Sequence, residues 1–237
     1  LCWVAMYFLR TSPFWYNIPL IFIAGGLTVR TFIIFHDCGH QSFFKSRKAN
    51  DILGYITGVI TFTAYRFWHW EHGIHHSTAG DLDRREEGDV WTMTVEEYEQ
   101  SSKGMKIAYR LARSPFILFT IIPMFLFLLW QRISSKKAKM KDRRSVWWTN
   151  LGIAVMITLG YLAMGWHYVL LHLCISAVAT TAGVWMFYVQ HQFEDVYWAR
   201  RDEWNFAAAA LEKGAAYVVV DSSSICINDK YLLVKDT

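Results

Sequence analysis

Two histidine clusters carry the chemistry open to this chain. The first is FHDCGH, with His36 and His40 spaced H-x-x-x-H; the second is FWHWEHGIHH, with His72, His75 and His76 spaced H-x-x-H-H. His36, His40, His69, His72, His75 and His76 make six of the nine histidines. On a helix, residues i and i+4 share a face. The first pair therefore points one way, and His72 shares a face with His75 and His76. Imidazole suits zinc, copper, iron and nickel. Five imidazoles from two patches exceed the three or four protein ligands of a zinc site, so the count points to two metal ions. A metalloprotease needs H-E-x-x-H; here Glu71 precedes His72 instead. No G-x-S-x-G and no phosphate-binding glycine loop occurs. His167 and His172 read as a core pair. His69 lies three residues before His72, but the H-x-x-H-H pattern is complete without it.

The elements that must position these histidines are apolar. The 237 residues are 54% hydrophobic and 17% aromatic, with mean hydropathy +0.17. Soluble domains run about 45–50% apolar, and the excess here falls in runs. Residues 14–35, 146–164 and 168–189 are each long enough to cross a membrane, which takes about 20 residues. Arg30, near one end of the first run, is expected to snorkel to an interface. Residues 52–65 are short, and 115–130 are short and carry Pro115 and Pro123. Cys2, Cys38, Cys174 and Cys226 form no C-x-x-C pair, so neither a disulfide framework nor a zinc ribbon is suggested. The chain starts at Leu1 inside an apolar run, without a basic leader or cleavage motif. We therefore expect its natural start to lie upstream.

Topology follows from parity. If both clusters serve one site, they lie on one face of the membrane. Residues 52–65 then should not cross, and one of the three later apolar segments must fail to cross; 115–130 is the best candidate. That choice puts the basic block 131–144, with seven Lys or Arg against one Asp, on the same face as the histidines. Basic loops favour the cytoplasmic side. The block is expected to meet anionic headgroups, at about 1 kcal/mol per charge. Trp147 and Trp148 open a spanning segment as an interfacial belt would. The eight acids of residues 81–99, with Arg84 and Arg85 among them, read as solvated surface, or as a place for a lipid headgroup or donor protein.

HDCGH, then EHGIHHSTAGDLDRR, GDVWTMTVEEY and YVQHQFEDVYW together resemble the membrane fatty acid desaturase family, most closely the bacterial acyl-lipid desaturases. The likeness covers residues 1–211, an N-terminally incomplete membrane domain, and leaves 212–237 as an atypical tail. It implies an all-α membrane protein: a small transmembrane helix bundle with a cytosolic histidine-rich cap. It also implies two iron ions, O2 as co-substrate, and electrons from ferredoxin or a cytochrome b5-like donor. The partners implied are an acyl lipid, the membrane and that donor, not nucleic acid. The product implied is a cis double bond in the acyl chain. The metal ligands carried over are His36, His40, His72, His75, His76 and, from the Q-H-x-F-E stretch, His191. Asp37, Glu71 and Glu194 are candidates for carboxylates that orient the imidazoles. Cys38, two residues from His36, points off the ligand face and reads as packing.

One departure stands out. The family carries a third H-x-x-H-H box after the Q-H-x-F-E stretch, and no histidine follows His191 here. Truncation, a frameshift or a join would each account for it. A lipid hydroxylase or ketolase with the same boxes is the rival enzyme, and a non-catalytic membrane protein is the rival from another class.

Overall fold

The computed structural model describes residues 1–85, 90–192, 196–206 and 209. Among them every regular element is helical, apart from one isolated bridge between Asp81 and Ala199. In chain order these are α1 (Cys2–Phe8), α2 (Ile18–Gly39), α3 (Arg47–Ile60), α4 (Tyr65–Thr78), α5 (Val95–Gln100), α6 (Lys103–Ala112), α7 (Ile122–Leu128), α8 (Met140–Met164) and α9 (Trp166–His191). Short 3-10 turns flank α2 and α7, and a π-helical turn, Ile117–Ile121, leads into α7.

Three helical stretches are long and apolar enough to cross a membrane: Phe14–Gly39, Met140–Met164 and Trp166–His191. They contain the three runs expected to cross. Large apolar side chains such as Phe22, Leu27, Leu159 and Leu162 are exposed on them, as lipid-facing surfaces require and as water-facing ones avoid. Trp147 and Trp148 are exposed near the start of α8, and Arg30 is exposed on α2. Helix α3 has 14 residues, about 21 Å at 1.5 Å per residue, and does not reach spanning length. It ends five residues earlier than the apolar run did. Phe62, with φ 57°, turns the chain there, and α4 starts at Tyr65. The stretch from Lys103 to Arg132 is bent by 61° between α6 and Ile117–Arg132, where Pro115 denies the helix an amide donor.

The chain forms two compact units. The first comprises residues 1–70 and 119–183, the second the described residues of 71–118 and of 184–209. In the first, Met6, Ile21, Ala24, Leu171 and Ile175 form one core, and Phe35, Cys38 and Tyr65 another. Cys38 is thus packing, as its place in the box suggested. His172 stacks near Trp3 and Tyr168, and His167 lies edge-on to Phe14. Helices α8 and α9 are joined by Gly165 alone, at φ 62° and ψ −150°, a conformation reserved almost wholly for glycine. Arg132 belongs to the basic block but is half-buried. It donates to the Phe62 carbonyl and, at 2.8 Å, to Asn150 Oδ1. The Phe67 amide, in the first turn of α4, donates to Ser145 Oγ at 3.0 Å. That serine supplies a partner the helix start lacks within itself.

In the second unit, Thr94 and Glu97 form a capping box that starts α5. Residues 79–83 lie beside 197–204. Leu82 N–H donates to the Ala199 carbonyl at 3.0 Å, and Trp204 Nε1 to the Ala79 carbonyl at 3.1 Å. The charges expected to be solvated hold this junction. Asp81 is fully buried and binds Arg84 Nε at 2.5 Å. Asp83 accepts from Arg200 at 3.0 Å and from the Arg201 amide at 2.9 Å. Arg85 binds both oxygens of Glu97 at 2.5 Å. Local composition showed the charges, but the pairing of Asp83 runs across more than a hundred residues. Residues 212–237 lie outside the described residues.

Candidate metal centre

The first box closes helix α2. His36 lies in the last turn and His40 is the capping residue, its amide donating to the His36 carbonyl at 3.0 Å. The i, i+4 spacing brings the two Nε2 atoms to 3.3 Å. His36 Nδ1 lies 3.3 Å from Asp37 Oδ1, which favours a proton on Nδ1 and leaves Nε2 with its lone pair. Trp68 of α4 packs on this end of α2, with ring centroids 5.6 Å from His36 and 4.9 Å from Phe35. The approach is so close that a Cβ at Gly39 would sit 2.7 Å from the Trp68 ring. The glycine of HDCGH is therefore a seat for tryptophan. Burial pushes the His40 imidazole below its ordinary value, and the nearby His36 and His69 add to the effect. His69, the residue left undecided by spacing, is exposed.

The second box lies on α4, and the helix divides its three histidines. His72 and His76, four residues apart, bring their Nε2 atoms to 2.9 Å. His75 is buried, its ring 5.9 Å from that of His72 and 5.7 Å from that of His76, and its Nε2 lies 3.1 Å from His191 Nε2. The ring of His191 stacks on Phe187 at 4.1 Å, and its Nδ1 lies 2.8 Å from the Phe187 carbonyl oxygen. A carbonyl can only accept, so Nδ1 carries the proton and Nε2 carries the lone pair. Gln192, next in sequence, accepts from the buried Arg113 at 3.2 Å; Arg113 also donates to Tyr188 Oη at 3.3 Å. Glu71 is half-buried on α4. Glu194 lies outside the described residues.

Six histidines thus show three close pairs, with Nε2 separations of 2.9, 3.1 and 3.3 Å. Metal–imidazole bonds of roughly 2.0–2.1 Å place two neighbouring ligand nitrogens about 3 Å apart. At that distance two imidazole nitrogens either share one N–H hydrogen or, when both are bare, chelate a cation. The donor set is all neutral nitrogen, which suits iron. Spacing alone did not show that His75 and His191 would meet, nor that Trp68 and Phe187 would back the imidazoles. The aromatic neighbours FWHW and MFYVQH were the available signal.

The fatty acid desaturase family model matches residues 13–213. A protein of Bacillus subtilis named fatty acid desaturase is 42% identical over 216 residues, 91% of this chain and 61% of its own length. An sn-1 acyl-lipid omega-3 desaturase (ferredoxin) of Nostoc sp. is 24% identical over 83% of this chain and 56% of its own. An sn-1 oleoyl-lipid 12-desaturase of Synechocystis sp. is 29% identical over 73% of this chain and 44% of its own. The chain thus spans from under half to about three fifths of these relatives. No solved structure matches it. Its histidine pairs, apolar helices and matched length agree, and the chain belongs to the fatty acid desaturase family.

Proposed function

We propose that this chain is the metal-binding membrane portion of an O2-dependent di-iron acyl-lipid desaturase. The observation that supports this best is the set of three imidazole pairs at chelating distance. His36 with His40, His72 with His76, and His75 with His191 would hold the iron. Asp37 would orient His36, and Glu71 and Glu194 are the further carboxylates proposed for that work. Iron held there would, with O2, supply an oxidant strong enough for an unactivated C–H bond. The reaction balances when –CH2–CH2–, O2, two electrons and two protons give –CH=CH–, in the cis form, and two waters.

What the chain's residues contribute is binding and exclusion. Neutral nitrogen ligands survive repeated redox cycling better than thiolates, and the nearby Cys38 is buried away among Phe35 and Tyr65. The aromatic backing of Trp68 and Phe187 keeps water from the ligands' outer sides and holds ring orientation. Electrons would come from ferredoxin or a cytochrome b5-like donor. The histidines would face the cytoplasm, with exposed Lys136, Lys137, Lys139, Lys141 and Arg144 near anionic headgroups. The test is iron per chain in detergent-purified protein of this sequence, beside His72→Ala, followed by analysis of acyl products. About two irons, lost in the variant, are expected from the two-metal ligand count. Little or no iron in the parent would overturn the reading, and a hydroxylated product would replace desaturation with hydroxylation.

A further inference from the structure

We infer that Tyr65 is a positioning residue, which with Gln41 ties the carbonyl end of the first histidine box to the first turn of the helix carrying the second. The inference rests on the histidines being metal ligands, and it assigns work to residues outside both boxes.

The Cys38 carbonyl lies between His36 and His40 in the chain, at the open end of α2. Its oxygen accepts the Gln41 backbone amide at 3.0 Å and keeps a second lone pair for another donor. Tyr65 Oη donates to this oxygen at 2.7 Å. Gln41 Nε2 approaches the same oxygen at 3.2 Å, Tyr65 Oη at 3.1 Å and Asp51 Oδ1 at 3.2 Å. Asp51 Oδ2 in turn takes Arg66 at 3.2 Å. One polar cluster thus joins the end of α2 and the first turns of α3 and α4. Gln41 has φ 57°, a left-handed backbone uncommon for a residue with a side chain, and this conformation directs its amide into the cluster. Tyr65 is buried, and burial, with Asp51 beside it, raises its phenol so that it stays a donor.

The consequence for the ligands comes from helical spacing. Tyr65 and Trp68 are the α4 residues that meet the end of α2. That face of the helix continues through His72 and His76, seven and eleven residues beyond Tyr65. Loss of the Tyr65 hydroxyl would therefore loosen the backbone that carries His36 and His40, and the start of the helix on which His72 and His76 lie. Ligand sets bind tightly only when held in place by groups behind them.

The test uses the full chain, solubilised in detergent, stripped of metal and titrated with Co2+, whose visible absorption reports its ligands. Tyr65→Phe keeps the ring and deletes the hydroxyl. Tyr55→Phe, in a ring 5.4 Å away, is the control. We expect cobalt affinity to fall about 10–100-fold in Tyr65→Phe, as for other groups that orient ligands, with an altered absorption band at saturation. Tyr55→Phe should match the parent, and the metal-free unfolding temperatures of all three should agree. Gln41→Gly, which relieves the backbone but removes the amide, should weaken cobalt in the same way and carries the test if Tyr65→Phe does not fold. Parent-like affinity and spectrum in the folded variants, or equal losses in Tyr55→Phe, would overturn the clamp. No cobalt binding by the parent would overturn the metal reading and the clamp with it.

Discussion

His191 gives its Nδ1 proton to the Phe187 carbonyl one helical turn back, at 2.8 Å, and so presents a bare Nε2 to His75 at 3.1 Å. The backbone of α9 chooses the tautomer. If this pair is one chelating unit, losing either histidine removes most of its value. His75→Ala and His191→Ala should each weaken cobalt binding, and the double variant should cost little more than the worse single one. Partners in one contact are non-additive in this way. A double-mutant cycle read by cobalt titration checks it, and simple additivity would mean that the two do not share an ion.

Gly39 and Gly73 both sit in histidine boxes but should respond oppositely to alanine. A Cβ at 39 would meet Trp68 at 2.7 Å, while one at 73 meets nothing within 4 Å. Gly39→Ala should destabilise by about 1–3 kcal/mol, the usual cost of overpacking. Gly73→Ala, inside helix α4, should stabilise by about 0.5–1 kcal/mol. Urea or thermal unfolding in detergent separates the two, and a stabilising Gly39→Ala would contradict the tryptophan seat.

Ser145→Ala should loosen the start of α4. It leaves the Phe67 amide buried and without its acceptor, which costs about 1–3 kcal/mol. Hydrogen exchange at Phe67 should accelerate in the variant. Unchanged exchange there would show that the serine carries none of this helix start.

Acid should open the second unit's charged junction first. Burial works to raise the Glu97 carboxyl, but the Arg85 hydrogen bonds and the Thr94 amide outweigh it and hold it below its ordinary 4.5. The Arg201 amide, then the Arg200 guanidinium, hold Asp83 below 3.8. A carboxyl lowered by folding binds fewer protons folded than unfolded. Its contribution is therefore complete above those ordinary values and is lost as pH falls through the lowered ones. Limited proteolysis from pH 6 to 3 should show cleavage near residues 79–85 and 197–204 rising below about pH 4.5, where unfolded glutamate takes up its proton. Glu97→Gln should be less protected at pH 6 and show a shallower pH dependence. A profile identical to the parent's would refute this role.

The sequence made the local geometry readable because helical spacing acts over four residues. His36 with His40, and His72 with His76, follow from i, i+4 alone, as do three runs long enough to cross a membrane. What it hid was long-range. His75 also meets a residue 116 positions on, and no periodicity encodes that. The acidic stretch looked solvated because each charge was visible and its partner was not. Asp81 has Arg84 close by, but Asp83 finds Arg200 only through the fold. Arg132 shows the same effect in reverse: a member of a basic block spends its charge on the Phe62 carbonyl.

Gly165, the single residue between α8 and α9, makes the far end of this hairpin a closed door. With both helices across a bilayer, a protease or labelling reagent confined to that side would find a one-residue link between Met140 and His191. Epitope tags or reporter fusions inserted there would have to break a glycine-only turn, φ 62° and ψ −150°, before they could be displayed. Mapping of this part of the chain should therefore be done from the opposite side, where α8 begins and α9 ends.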